Sequence, residues 1–92
     1  MKAHEFVNQA AQALADRAAQ RDQPGGERSM ARAVRIFEAW TGIALSEDDG
    51  WRFMVALKQA REIQGGFTAD DYTDLVGYAG LLGECRANGG EV

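Results

Sequence analysis

Apolar residues recur at helical spacing in four stretches of the chain, and no stretch shows the β-branched alternation of a half-buried strand. In the first stretch Phe6, Val7, Ala10, Ala11, Leu14 and Ala18 share one face of a helix expected over about 2–20. The rest of that segment is rich in Ala and Gln, which favour helix but bury little. A thin stripe of this kind predicts a lightly anchored helix whose first turn frays. Pro24 and the pair Gly25-Gly26 punctuate its end.

The second stretch predicts a helix over about 27–41. Met30, Ala33, Val34, Ile36, Phe37 and Trp40 form a broad stripe expected to be buried, with Arg28, Arg32 and Arg35 opposite and Gly42 as the stop. The third predicts a helix over about 47–64, capped by Ser46 and carrying Glu47, Asp48 and Asp49 where acids suit the helix dipole. Trp51, Phe53, Met54, Val55, Leu57 and Ile63 surround most of its circumference, which marks it as the central helix. The fourth predicts a helix over about 68–87. Thr68 with Asp71 three residues later makes a variant capping box, and Phe67 is placed to staple onto Tyr72. Gly77, Gly80 and Gly83 recur along one side of it and predict a close approach by another helix or by a second subunit. Residues 88–92 read as a disordered tail. The expectation is an all-α, compact four-helix bundle in one domain spanning 1–92, either with four equal helices or with the first docked loosely on the other three.

Bulk properties narrow the function. The chain has 92 residues, enough for one small core that is marginal alone. A net charge of −4 speaks against general nucleic-acid binding, which relies on Lys and Arg neutralising phosphates. No run approaches the roughly 20 apolar residues that span a bilayer, and Met1-Lys2-Ala3-His4-Glu5-Phe6 has no apolar signal-peptide core; a cytoplasmic protein is expected. Cys85 is the only cysteine and His4 the only histidine, so a thiolate zinc site is not expected, and Cys85 reads as a small apolar residue packed on a helix. Gly25-Gly26 lacks the Lys-Ser/Thr of a phosphate loop, and Ser29 and Ser46 have no neighbouring His to activate them. Trp40 and Trp51 are expected in the core; an exposed Trp would instead mark an interface.

One charged constellation stands out. Asp71 and Asp74 head an apolar stripe that continues through Leu75, Tyr78 and Leu82. On the third helix Lys58 shares a face with Trp51, Met54 and Val55, and Arg61 lies on its flank. Antiparallel packing of the two helices brings these charges into range. In one reading they are structural pairs that fix register, because charges inside an apolar stripe demand partners. In the other, Asp71 and Asp74 hold Mg²⁺, Lys58 and Arg61 bind substrate phosphates, and Trp51 and Tyr78 line a pocket; Mg²⁺ needs only one or two carboxylates plus phosphate oxygens.

The stretches from Ser29 to Phe37, Trp40 to Gly42, Met54 to Arg61 and Asp71 to Ala79 resemble a small helical family encoded by tailed phages and prophages, over about Ala13 to Glu84. The same motifs are similar to parts of the MazG-like all-α nucleotide pyrophosphohydrolases, which pair E-x-x-E on one helix with E-x-x-D on another to hold Mg²⁺. The resemblance places Asp71 and Asp74 in the second motif. The first has no counterpart, since the second helix offers only Glu27 and Glu38, eleven residues apart. The expectation drawn from this is a phage or prophage accessory protein without catalysis or cofactor, binding a protein partner that is host-encoded or a defence factor. It is not expected to bind nucleic acid or membrane, and the glycine face of the fourth helix would support a homodimer. The alternative is a Mg²⁺-dependent nucleotide-phosphate binder or pyrophosphohydrolase.

Overall fold

Four helices follow one another in the computed structural model, which describes residues 1–21 and 29–89. They are α1 (Ala3–Arg21), α2 (Ser29–Thr41), α3 (Glu47–Gln64) and α4 (Ala69–Ala87), and the described residues hold no strand. The expected all-α bundle is the fold. The first two residues expected in the second helix, 27 and 28, the break over 22–26, and 90–92 of the tail lie outside the described residues.

Local chemistry sets the ends. Ser46 Oγ accepts from the Asp49 N–H at 3.0 Å and caps α3, and the Gly65 N–H closes its last turn on the Arg61 carbonyl at 3.3 Å. At the end of α2, Gly42 adopts φ +76° and donates to the Glu38 carbonyl at 2.7 Å, the left-handed stop that glycine takes without strain. The start of α4 differs from the expected capping box. Thr68 sits at the N-cap with extended backbone, but its side chain makes no capping hydrogen bond. The staple does form: Phe67 and Tyr72 stack at 5.8 Å between ring centroids. Phe6 joins them edge-on at 6.5 and 5.9 Å, so aromatic packing holds the first turns of α1 to the α3–α4 corner.

Packing orders the helices as an open row, α1–α4–α3–α2. The α3–α4 contact is the most extensive, α1 lies against α4, and α2 meets α3 through the smallest of the three interfaces. The lightly held helix is therefore α2, not α1. The molecule measures 41 × 32 × 21 Å, two helix diameters thick in its narrowest direction.

The interior is correspondingly small. Ala10, Ala31, Trp51 and Leu81 are the buried apolar residues among those described, and no large side chain is wholly enclosed. Two expectations change here. Trp51 is core, but Trp40 is 80% exposed, with Ile36 half exposed beside it. In α3, Phe53 and Ile63 face outward, so that helix is apolar nearly all round without being covered all round. Among the described glycines the tightest surroundings are at Gly50 in α3, where the Met30 and Val34 side chains of α2 pack over it, rather than at the glycines of α4.

Candidate functional site

The predicted constellation forms in half. Lys58 Nζ reaches from α3 to Asp74 Oδ2 on α4 at 2.7 Å. The Lys58 side chain is only 12% exposed and that of Asp74 41%, so the pair straddles the edge of the α3–α4 seam. A close, partly desolvated pair of this kind is a charge-assisted hydrogen bond that fixes the mutual position of the two helices. Arg61 is exposed, with neither Asp71 nor Asp74 as an ion-pair partner, and Asp71 stays half-buried one turn before Asp74. Among the described residues no three His, Cys, Asp or Glu side chains converge as a metal cluster.

Trp51 and Tyr78, the predicted pocket pair, do come together, with ring centroids 6.2 Å apart and planes inclined by 31°. They line an open cleft of about 300 Å³ together with Met30, Ala33, Met54 and Arg17. Arg17 of α1 was not singled out by the sequence, because an arginine on a thin stripe reads as solvated surface. It also borders a small pocket of about 30 Å³ beside Asp74 and Tyr78, and it has no ion-pair partner among the described residues.

The glycines of α4 look toward α1 where they meet anything. A Cβ at Gly80 would lie 3.6 Å from Leu14 Cδ1, an ordinary contact, and Gly77 lines the small pocket against α1. Nothing lies within 4 Å of a Cβ placed at Gly77 or Gly83.

A second charged cluster was missed. Glu47 and Asp48 are buried, at 4% and 6% exposure, where α3 begins beside the end of α4. Asp48 Oδ2 accepts from Arg86 at 3.0 Å, and Asp48 Oδ1 accepts from the Cys85 thiol at 3.2 Å. As a first-turn acidic run these residues predict only dipole partners, a role that leaves them exposed. The available signal was Cys85-Arg86 near the far end of an antiparallel neighbour.

Near the opposite end, the Tyr72 hydroxyl donates to Glu62 Oε1 at 3.2 Å. Desolvation, that hydrogen bond, and the charges of Glu62 and Asp71 all disfavour the phenolate, so Tyr72 titrates above the ordinary phenol range.

The remaining feature is apolar. Ala33, Ile36 and Trp40 are exposed at i, i+3 and i+7, a stripe on α2 beside the one formed by Met30, Val34 and Phe37. Ile43 just beyond the helix and Phe53 on α3 are exposed as well. No helix of the described residues is long and apolar enough to cross a membrane.

Residues 5–86 match the family described as a domain of unknown function, DUF6378, and the chain belongs to that family. No curated protein and no solved structure matches the chain.

Proposed function

We propose that this member of the DUF6378 family is a non-catalytic protein-interaction module that binds through the open apolar edge of α2. The observation that carries this reading is Trp40, a large aromatic side chain 80% exposed on a helix with one substantial neighbour. Scattered apolar residues are normal on a surface, but a Trp inside a contiguous stripe is the composition of a binding hot spot. Ile36 and Ala33 extend the stripe, and Arg32 borders it with positive charge.

The phage or prophage setting, with a host or defence protein as target, rests on the resemblance of the Met54 to Arg61 and Asp71 to Ala79 stretches. The Mg²⁺ and nucleotide reading loses ground to the geometry. Lys58 is already neutralised by Asp74, and Arg61 is exposed and makes no ion pair with Asp71 or Asp74.

Site-specific photocrosslinking in cells tests the proposal. A photoreactive residue at position 36 should give a discrete protein adduct, and the same residue at position 63, exposed on α3, should not. Adducts of equal yield from both positions would remove the support for α2 as the binding edge.

A further inference from the structure

The partner that fits the α2 edge best is a second copy of this chain. We infer that two copies pair α2 against α2 in antiparallel sense, with Trp40 of each entering the other's cleft beside Ala33. This rests on the interaction reading above and names the occupant of the same surface.

Three observations converge on it. The first is the interior: among the described residues, four buried apolar residues and no fully enclosed large side chain make a small core, which association commonly supplements. The second is shape. Ala33 and Trp40 lie two helical turns apart on the same stripe. An antiparallel two-fold axis between them sets the small residue of each copy opposite the large residue of the other. A parallel pairing would set Trp40 against the partner's Trp40. Isologous contact of this kind, in which i meets j and j meets i, is the normal form of a two-fold interface. The third is the cleft itself. Ala33 is part of its lining, and Met30, Met54, Trp51 and Tyr78 make the rest of the wall apolar and aromatic. Its volume of about 300 Å³ lies at the lower end of the range that encloses a small ligand, so it takes one indole. Arg17 at its rim, without an ion-pair partner among the described residues, then meets the face of that indole as a cation.

Exposure and charge agree. Trp40 is 80% and Ile36 50% exposed on the same stripe of α2, so both are free to meet a partner. The net charge of −4 opposes contact between copies in general. The described part of α2, however, carries Arg32 and Arg35 against Glu38 alone, so this edge is not acidic.

Sedimentation equilibrium from micromolar to millimolar concentration tests the pairing. Wild type should run as a dimer. Trp40→Glu and Ala33→Glu, both at exposed positions, should run as monomers with unchanged circular dichroism, and Ile63→Glu should remain dimeric. A wild type that is monomeric throughout, or a dimer that survives Trp40→Glu, overturns the inference. If wild type is monomeric while position 36 still crosslinks to a different protein, the interaction reading stands and only the choice of occupant fails.

Discussion

Met30 Sδ occupies the space that a Cβ on Gly50 would need, and Val34 Cγ1 lies 3.2 Å from the same point. Gly50 is buried, and the Met30 and Val34 side chains of α2 pack over it. The contact matters because α2 has no other extensive neighbour. Gly50→Ala should therefore cost about 1–3 kcal/mol despite its better helix propensity, since Met30 and Val34 must both give way. Gly83→Ala, in open space on α4, should stabilise the protein slightly or leave it unchanged. Urea unfolding of the two variants checks the contrast.

Lys58 and Asp74 permit a separation of structure from chemistry. Asp74→Asn leaves a largely buried ammonium without its counter-charge and should lower stability by about 1–2 kcal/mol. Wild type titrated with nucleoside triphosphates and Mg²⁺, followed by NMR, should show no metal-dependent shifts at Lys58, Asp71 or Asp74. Such shifts, with stability unaffected by Asp74→Asn, would instead support a phosphate site.

Asp48 and Asp49 are adjacent acids in the first turn of α3, but their surroundings differ. Asp48 is buried and holds Arg86 and Cys85, whereas Asp49 makes an exposed i, i+3 pair with Arg52 at 3.1 Å. Asp48→Ala should cost about 1–2 kcal/mol, because it removes a buried carboxylate that holds Arg86 and is one of the acceptors of the Cys85 thiol. Asp49→Ala should cost well under ~1 kcal/mol, as exposed pairs usually do. Thermal unfolding of both variants tests the ranking.

Tyr72 makes stability depend on alkaline pH. Its folded-state pKa is raised while the unfolded chain titrates near the ordinary value of about 10. The folded state therefore holds the proton more tightly. The contribution is fully present below about pH 10 and is lost as pH rises through the folded value. Tyr72→Phe should flatten that alkaline decline, and phenolate absorbance should lose a late-ionising component in the same variant.

The sequence made the helices legible because each carries its own periodicity and end signals. Ser46 before three acids and Gly65-Gly66 after Gln64 place α3 at its observed residues. The Lys58–Asp74 pair was also legible, since charges on apolar stripes of adjacent antiparallel helices must find each other. What periodicity cannot supply is which neighbour covers which stripe. Met30, Val34 and Phe37 turn toward α3 while Ile36 and Trp40 face solvent, although both sets belong to one broad apolar sector. The burial of Asp48 was hidden for the same reason: it depends on where the last turn of α4 lands.

The most direct test of the account is a comparison of wild type and Trp40→Glu as quantitative binding partners at equal, verified fold. An exposed position that serves only binding can be changed within about 0.5 kcal/mol of folding stability. The account predicts unchanged secondary structure with loss of association, whether to a second copy or to a captured protein. Lowered folding stability with association intact would make Trp40 a residue of the fold and contradict the assignment of α2 as the binding edge.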